Sequence, residues 1–316
     1  MATPKVSVII PNYNHAKYLD QRIQSVLNQT YQDFEVIILD DCSTDNSREV
    51  IEQYSDNPHV SQIVYNDVNS GCVIKQWQKG IELAKGELVW IAESDDKNDF
   101  RFLETLVGCF EKTDNLALAF SKSWLFNDEG KLWTIDSVNL EEGVYDSHTF
   151  ISRFMSVGCV MLNASSCLFS KKAFECIDDR YTSFKASGDR MFWTLISEHG
   201  SVAIVGERLN YYRKHNTNVT EGGFKKGINQ KETKIILDYI LEKGYIDKEQ
   251  YKLIRRRYLK GAVFELLEDD KVKKDIYNYW GYNALQVFSL RLEAWIQKLV
   301  SLFKKEWSSF SILDKH

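Results

Sequence analysis

The sequence predicts an α/β protein with a mostly parallel central sheet and helices on both faces of that sheet. Over the first hundred residues, short segments rich in Val and Ile alternate with amphipathic segments in the order βαβαβαβ. The Val- and Ile-rich segments lack a period-two alternation of apolar and polar residues, which is typical of strands covered on both faces. With 316 residues, 44% of them hydrophobic, the chain can form one large domain with a smaller appendage.

The first four strands and the three helices between them each correspond to a distinct segment. In chain order these segments are KVSVIIP, YLDQRIQSVLNQ, FEVIILDD, STDNSREVIEQY, HVSQIVYND, IKQWQKGIELAKG and GELVWIA. Ser43 or Thr44 is the predicted N-cap of the second helix, because a hydroxyl at that position accepts a hydrogen bond from a free backbone N–H.

Strands and helices continue to alternate beyond residue 100. A helix is predicted at 102–112, followed by strands at LALAFSKSWLFND and GKLWTID, a strand leading into a helix at SSCLFSKKAFECI, a helix at GDRMFWTLISEHG and one or two strands at SVAIVGERLNYYRKH. Beyond about residue 225 the segments are helical throughout and rich in Lys, Arg, Leu and Tyr. We therefore expect an α/β domain at residues 1–224 and a C-terminal helical region at 225–316.

Charge and cysteine usage limit the compartment and the partners. The six cysteines form no C-x-x-C motif and the N-terminus lacks the apolar segment of a signal peptide, so we expect a reduced, cytoplasmic protein. No run of about eighteen apolar residues occurs, and a nucleic-acid partner is not expected of a chain with a net charge of −5. Residues 213–262 carry 13 Lys and Arg against 6 Asp and Glu, which fits an anionic surface, an anionic substrate or a solvated basic helix face.

The C-terminal region has an amphipathic pattern. On a helical wheel one face, interrupted by Glu306, carries the apolar residues, which are Leu285, Phe288, Leu292, Trp295, Ile296, Leu299, Leu302, Phe303, Trp307 and Phe310. Arg291, Lys298, Lys304 and Lys305 lie toward the other side. Trp and Phe opposite basic residues are typical of a helix on an anionic membrane surface, here the inner face of the membrane. Packing of 285–310 on the first domain or on a second copy explains the pattern equally well, so both interpretations stay open.

Polar clusters follow three of the predicted strands. They are Pro11-Asn12-Tyr13-Asn14, Asp40-Asp41 and Glu93-Ser94-Asp95-Asp96. Ligands of open α/β sheets bind beyond the carboxyl ends of the strands, so we expect the three clusters to line one crevice. Three carboxylates within four residues repel one another and need either open water or a cation. The sequence thus predicts that Glu93-Ser94-Asp95-Asp96, which we call the acidic turn, either is solvated or binds a cation.

The chemistry available to such a cation site is limited by the motifs that the sequence lacks. It has no G-x-x-x-x-G-K-[ST], G-x-G-x-x-G or G-x-S-x-G motif, and it is much longer than a receiver-type phosphoacceptor domain. Mg²⁺ and Mn²⁺ are typically held by one or two carboxylates plus substrate phosphates. A bound metal then stabilises the charge that builds on a leaving diphosphate, and the acidic turn fits this role.

Four segments in the expected order and spacing resemble family 2 glycosyltransferases of the GT-A fold. They cover roughly residues 4 to 220 and are VSVIIPNYNHAKYLDQRIQSVLNQTYQDFEVIILDDCSTDNS, NSGCVIKQWQKGIELAKGELVWIAESDD, SGDRMFW and YYRKHNTNVT. The resemblance implies a Rossmann-like nucleotide-sugar-binding and catalytic domain at 1–224. It implies inverting, metal-dependent transfer from a nucleotide sugar, with UDP as the expected nucleotide, to an acceptor hydroxyl. The expected setting is synthesis of a bacterial polysaccharide or glycolipid, such as a capsule or lipopolysaccharide.

The resemblance also implies roles for individual residues on the donor side of the site. For the nucleotide, Pro11 and Tyr13 are expected to line the base pocket, Asp41 to contact uracil or ribose, and Lys75 and Asp95 to lie near the nucleotide. For the metal, Mn²⁺ or Mg²⁺, the expected ligands are Asp95, Asp96 and His215. Glu93 and Arg213 are expected near the diphosphate and the sugar.

On the acceptor side, the resemblance implies that Asp189 is the general base. Its alternative role is that of an N-cap or a first-turn acid favoured by the helix dipole. Two positions depart from the family pattern. Glu93 replaces the usual first Asp of the DxD motif, which leaves its direct contact with the metal open, and Gly188 precedes the base where Glu is more frequent. The implied partners are a UDP-sugar donor and a saccharide or lipid-linked saccharide acceptor. The alternative function is a non-catalytic nucleotide-sugar-binding or scaffold protein on the same fold.

Overall fold

The chain divides into two compact units, Met1–Asn218 and Val219–His316. The computed structural model describes residues 3–134, 140–214, 225–261, 267 and 269–296. His215 and the predicted tail positions from Lys298 onward lie outside the described residues.

The first unit is built on a mixed sheet that is mostly parallel. Its ten strands in the described part are β1 (Val6–Asn12), β2 (Phe34–Asp40), β3 (Val60–Tyr65), β4 (Leu88–Ile91), β5 (Lys97–Asn98), β6 (Leu116–Phe126), β7 (Leu132–Trp133), β8 (Gly143–Tyr145), β9 (Cys167–Ser170) and β10 (Ser201–Arg213). The sheet order is β3-β2-β1-β4-β9-β6-β10-β5, with β7 on β6 and β8 on β10. Strands β1 to β4 pair in parallel, as do β6 and β10, whereas β9 is antiparallel to both of its neighbours. The predicted α/β class is confirmed.

Helices connect these strands and cover the sheet. They are α1 (Ala16–Leu27), α2 (Ser47–Glu52), α3 (Val73–Leu83), α4 (Phe102–Lys112), α5 (Ser147–Phe150), α6 (Lys171–Phe174) and α7 (Gly188–Ser197). A π-helical turn (Ile151–Met155) follows α5, and 3₁₀ turns lie at Ala164–Ser166 and Arg180–Ser183.

The core lies between the sheet and these helices. Every residue of β1 and β2 is buried, which explains why their sequences do not alternate between apolar and polar residues. Gly80, in the interior of α3, shows how closely a helix approaches the sheet. A Cβ at Gly80 would lie 2.4 Å from Cγ2 of Ile9, so α3 packs tightly on β1 only because this position has no side chain.

The predicted N-cap of α2 is wrong. The helix begins at Ser47, and Ser43 instead closes the turn after β2. The Ser43 hydroxyl donates to Asp40 Oδ1 at 2.6 Å, and the Ser43 N–H donates to Asp40 Oδ2 at 3.0 Å. At the helix start, Asp45 accepts from both the N–H and the hydroxyl of Ser47. The short polar side chains at 43 and 44 are used within the loop, where they compete with helix formation.

The second unit is helical in its described part. Its helices are α8 (Ile228–Glu242), α9 (Lys248–Tyr258), α10 (Asp270–Tyr279) and α11 (residues 284–296). Helix α9 starts with a reciprocal capping box between Asp247 and Gln250. The buried Trp280 stacks on Tyr258, and its indole N–H donates to the Gln230 carbonyl at 3.1 Å. None of the helices in the described segments is long and apolar enough to cross a bilayer.

Candidate active site

The ends of β1, β2 and β4 bring the predicted polar clusters together. Asn12 and Asp40 are register partners in the parallel β1–β2 pair, and the Asp41 N–H donates to the Asn12 carbonyl at 2.8 Å. Just after β1, His15 Nδ1 lies 2.8 Å from the Ser94 hydroxyl in the acidic turn after β4. The side chain of Tyr13 is 46% exposed beside this junction, whereas Pro11 is buried within β1.

Asp41 is held in one orientation by donors from two segments that follow it in sequence. Its Oδ1 accepts from the Asn66 amide at 2.6 Å, from the Ser70 N–H at 2.9 Å and from the Gln76 amide at 2.9 Å. Its Oδ2 accepts from the Ser70 hydroxyl at 2.7 Å. The residue is buried, so these bonds supply the polar partners that the carboxylate loses from water. Asp41 therefore presents a fixed acceptor at the end of β2.

Helix α3 connects Asp41 with the acidic turn through two consecutive residues. Gln76 donates to Asp41, and the Trp77 indole N–H donates to Glu93 Oε1 at 2.8 Å. Glu93 is half-buried, and this burial, with a smaller contribution from the negative charge of Asp95, raises the pKa of Glu93 to about 8. Sequence reasoning missed both donors, although Gln76 stands between apolar positions on a helix that was predicted.

Asp96 is the most enclosed carboxylate of the turn. It is buried, and its Oδ1 accepts from the Arg213 N–H at 2.9 Å. Its Oδ2 accepts from the Ser165 hydroxyl at 2.7 Å and from the Asn163 amide. Burial, with the neighbouring Asp95 charge as the next cause, raises the pKa of Asp96 to about 7. Its role as a metal ligand stays a prediction, since both of its oxygens accept hydrogen bonds from the protein.

A buried arginine that the sequence analysis did not single out lies beneath the acidic turn. Arg22 projects from the buried face of α1 and donates to the Glu93 carbonyl at 2.8 Å, to Asn98 Oδ1 at 2.8 Å and to the Ser165 hydroxyl at 3.2 Å. Loss of hydration lowers the pKa of its guanidinium to about 10, against the opposing effect of the nearby carboxylates. A sequence signal existed, because position 22 falls on the same helix face as Leu19 and Val26.

Arg213 holds the turn from the end of β10. Its Nε donates to the Asp95 carbonyl at 2.7 Å, while its terminal nitrogens donate to Asp128 at 3.0 Å and to Gln21 at 2.5 Å. The guanidinium also lies 4.4 Å from the ring centre of Tyr18. These contacts position the acidic turn, and the contact of Arg213 with a diphosphate stays a prediction. Lys75, in the first turn of α3, is exposed.

Asp189 lies in the first turn of α7 and is half-buried. The N-cap is Ser187, which forms no side-chain capping bond, and Asp189 Oδ1 accepts from the Arg190 N–H at 2.7 Å. Helix α7 packs against Trp77, whose ring centre lies 5.7 Å from that of Phe192. The tryptophan that donates to Glu93 thus also packs against the helix that carries Asp189.

The glycine before Asp189 is explained by packing. A Cβ at Gly188 would lie 3.0 Å from the Tyr181 carbonyl oxygen and 3.3 Å from Cγ1 of Ile74, at the start of α3. Both distances are shorter than an ordinary van der Waals contact, so the more frequent Glu would push these neighbours apart. The absence of a side chain at 188 lets the first turns of α3 and α7 approach each other.

The acidic turn fits a divalent cation that takes part of its ligands from a substrate. Within the described ranges no group of three or more His, Cys, Asp or Glu side chains forms a metal cage. Mg²⁺, however, is usually bound by one or two carboxylates plus substrate phosphates, and Glu93 and Asp95 are the half-buried carboxylates of the turn. Three carboxylates here face the guanidinium groups of Arg22 and Arg213, and Arg213 also pairs with Asp128. A cation bound here would favour the ionised forms of Glu93 and Asp96, whose pKa values are raised to about 8 and about 7.

Comparison with known proteins assigns the chain to a family. The model of glycosyl transferase family 2 matches residues 7–178, which is more than half of the chain. TuaG of Bacillus subtilis, a glycosyltransferase provisionally assigned to teichuronic acid biosynthesis, is 42% identical over 94 residues, which are 30% of this chain and 37% of TuaG. Glycosyltransferase GlyG of Streptococcus pneumoniae is 36% identical over 109 residues, 34% of this chain and 36% of GlyG. The matched region therefore spans little more than a third of these two relatives.

A longer match and two solved structures extend the comparison. An uncharacterized glycosyltransferase of Nostoc sp. is 30% identical over 221 residues, 68% of this chain and 66% of its own length. The 1–349 fragment of S. aureus TarS superposes with a TM-score of 0.66 at 19% identity, covering 88% of this chain and 79% of the fragment. The mannosyltransferase PcManGT of Pyrobaculum calidifontis, solved with GDP-Man and Mn²⁺, gives a TM-score of 0.56 at 13% identity, covering 94% of this chain and 81% of that one. The structural matches show the predicted GT-A fold, and the chain belongs to glycosyltransferase family 2.

Proposed function

We propose that this protein transfers a sugar from a UDP-sugar to an acceptor hydroxyl, with inversion at the sugar carbon, in the synthesis of a bacterial surface polysaccharide or glycolipid. The observation that carries the proposal is the bridge between the two acidic positions of the site. Consecutive residues of α3, Gln76 and Trp77, donate to Asp41 at the end of β2 and to Glu93 after β4. One helix thereby positions the Asp41 carboxylate, which can accept a hydrogen bond from a nucleobase, and the acidic turn, over which a diphosphate would lie.

The nucleotide would bind across the ends of β1 and β2. Tyr13 offers an exposed ring for a base, and the fixed carboxylate of Asp41 can accept from uracil N3–H or from a ribose hydroxyl. Pro11 in the pocket wall and Lys75 near the nucleotide remain predictions. A structure of S. aureus TarS in complex with UDP-GlcNAc, on the same fold, supports the choice of a uridine nucleotide.

The diphosphate would lie over the acidic turn together with Mn²⁺ or Mg²⁺. Asp95 is the principal proposed ligand, with Asp96 and His215 as further predicted ligands and Glu93 beside the sugar. When bound, the cation neutralises the charge that develops on the leaving diphosphate. The protein's own contribution is to hold the turn rigid, since Arg22 and Arg213 fasten the backbone carbonyls of Glu93 and Asp95.

The acceptor hydroxyl would be activated by Asp189. As the acceptor oxygen forms its bond to the sugar carbon, the bond from that carbon to the diphosphate oxygen breaks on the opposite side. The hydroxyl proton passes to the carboxylate of Asp189, because a free hydroxyl is a poor nucleophile near neutral pH. The packing of α7 against Trp77 supports this role, because Trp77 also donates to Glu93 and so links the helix that carries Asp189 to the acidic turn.

Asp189→Asn tests the proposal, with Asp270→Asn as its matched control. Both residues are acids in the first turn of a helix, and Asp270 lies in α10 of the other unit. In the Asp189→Asn variant the side-chain amide can still accept from the Arg190 N–H but cannot take a proton. We expect near-normal melting and UDP-sugar binding for both variants, and turnover lower by about a hundredfold or more for Asp189→Asn alone.

Two results would contradict the proposal. Turnover of Asp189→Asn within a few-fold of the parent would mean that Asp189 only stabilises the start of α7 and is not the general base. A parent protein that binds UDP-sugars but neither hydrolyses nor transfers any sugar of a UDP-sugar panel with Mn²⁺ would identify a binding or scaffold protein instead. Calorimetric titration measures the binding, and release of UDP measures both hydrolysis and transfer.

A further inference from the structure

Helix α11 carries an apolar face that nothing in the described part of the second unit covers. Its exposed large hydrophobic side chains are Leu285, Phe288, Leu292, Trp295 and Ile296. Their spacing of three and four residues places them on one side of the helix. We call these five residues the α11 stripe. Leu290 and Ala294, on the opposite side, are buried, and Ser289 and Glu293 contact Arg256 of α9 in the same unit. The stripe is therefore additional to the face that α11 needs for folding.

The stripe differs from ordinary surface hydrophobics by its concentration. Single exposed apolar residues are normal on folded proteins and need no explanation. The first unit shows such residues separately, for example Val68, Phe100 and Leu132. In α11, five large apolar side chains, two of them aromatic, occur within twelve residues on one side of one helix. Large apolar side chains that include Trp and Phe on one face of a helix are typical of a helix that lies at a membrane surface.

The positive charge of the unit that carries the α11 stripe favours an anionic partner. Helix α9 lies beside α11, because Arg256 donates to the Ser289 hydroxyl at 3.0 Å and pairs with Glu293 at 2.5 Å. The same helix exposes Lys252, Leu253 and Arg257 to solvent. Residues 219–316 carry 19 Lys and Arg against 14 Asp and Glu, whereas residues 1–218 carry 21 against 31. The unit that bears the stripe is thus the basic one.

The size of the stripe favours a membrane over a second copy. Twelve helical residues span about 18 Å, and with a helix diameter of about 10 Å the face measures about 180 Å². A stable protein interface buries about 800 Å² on each partner, several times this area. A helix at a bilayer surface needs only its apolar face to enter the headgroup boundary, with Trp and Phe there and basic groups beside it. We propose that α11 attaches this protein to an anionic lipid bilayer.

Vesicle flotation of the full chain tests the proposal. The probes are vesicles of phosphatidylcholine alone and of phosphatidylcholine with phosphatidylglycerol, each at low and high salt. We expect flotation with the anionic vesicles at low salt and weaker binding at high salt, because salt screens the basic contribution. A chain that stays at the bottom of the anionic gradient at low salt overturns the proposal.

A matched pair of double variants locates the contact. The test variant is Leu285→Gln with Phe288→Gln, where the side chains are 80% and 65% exposed. The control is Val68→Gln with Phe100→Gln in the first unit, at 77% and 56% exposed. We expect the partition into anionic vesicles to fall on the order of 100-fold for the test variant and to stay unchanged for the control. Equal losses in both, or no loss in the test variant, overturn the proposal.

A replacement variant covers the case in which the test variant does not fold, and light scattering distinguishes membrane binding from dimerisation. If the test variant fails to fold, Lys252→Gln with Arg257→Gln replaces it. We expect that variant to melt normally and to lose about 30-fold in binding to anionic vesicles, while unchanged binding overturns the proposal. Light scattering gives the oligomeric state. A dimer that Leu285→Gln with Phe288→Gln dissociates would assign the stripe to a second copy and would overturn the membrane assignment.

Discussion

Replacing Arg22 by Met should remove the hydrogen bonds that connect the acidic turn to helix α1. The apolar part of the side chain, which lies beside Trp90 with the guanidinium 5.8 Å from that ring, is approximately kept by Met. The three hydrogen bonds to the Glu93 carbonyl, Asn98 and Ser165 are lost. The substitution therefore removes a buried charge and its donors with little change in volume.

The expected cost follows from burial. Arg22 is fully enclosed, so no water can replace its donors without rearrangement. Removing one partner of a buried charged network typically costs about 3–5 kcal/mol of the free energy of unfolding. The Arg22 charge also lowers the pKa values of Glu93 and Asp96, so both should rise further in the variant. More of each carboxyl group would then be protonated at pH 7, and we expect UDP binding with Mn²⁺ to weaken, because a protonated carboxyl group is a poor metal ligand.

Denaturant unfolding followed by tryptophan fluorescence measures the first effect, and calorimetry with UDP and Mn²⁺ measures the second. Arg48→Met in α2 is the matched control, because Arg48 is exposed, with a long ion pair to Glu52 at 3.9 Å and its guanidinium 4.3 Å from the ring centre of Tyr65. The control should lose no more than about 1 kcal/mol. Arg22→Lys keeps the charge without the planar array of donors and should fall between parent and Arg22→Met. Equal stability and equal UDP binding of Arg22→Met and Arg48→Met would refute the reasoning.

The remaining predictions concern the nucleotide, the metal and pH. Asp41→Ala should weaken UDP binding by about 1–3 kcal/mol, because a buried polar partner is removed, and equal affinity of the parent for UDP and GDP would contradict the uridine assignment. A chelator should abolish turnover and Mn²⁺ or Mg²⁺ should restore it, whereas Asp95→Ala should stay inactive with metal; full parental activity in chelator would rule the metal role out. The raised pKa values of Asp96, about 7, and Glu93, about 8, mean that folding favours their protonated forms, so the stability they contribute is fully present below their unfolded-state pKa values of about 4 and falls as the pH rises to about 7 for Asp96 and about 8 for Glu93. In chelator, the melting temperature should therefore be lower at pH 9 than at pH 6, and an unchanged or higher value would contradict these assignments.

The order of the first four strands and of the three helices between them could be predicted from the sequence because it depends on local patterns, whereas the short elements β5, β8 and α5 were not predicted. Apolar runs identified β1, β2 and β4, and the polar clusters after them marked the edge of the sheet where the candidate site lies. The same patterns identified α3 and α7, and they placed Asp189 at the start of a helix. These properties need only the period of the hydrophobic residues and the rule that ligands bind beyond the carboxyl ends of parallel strands.

What only the tertiary structure decided is which polar side chains pair with one another. The Ser165 hydroxyl donates to Asp96, 69 positions earlier, and accepts from Arg22, 143 positions earlier. Gly188 is needed because Tyr181 and Ile74 approach it, and Ser43 was mistaken for a helix cap because its partner, Asp40, lies on the other side of it in sequence. A local pattern reports which face of an element is apolar, but it carries no information about which distant donor will fill a buried acceptor. That choice is made when the elements pack, since a buried carboxylate must find its hydrogen bonds among whatever side chains the fold brings within reach.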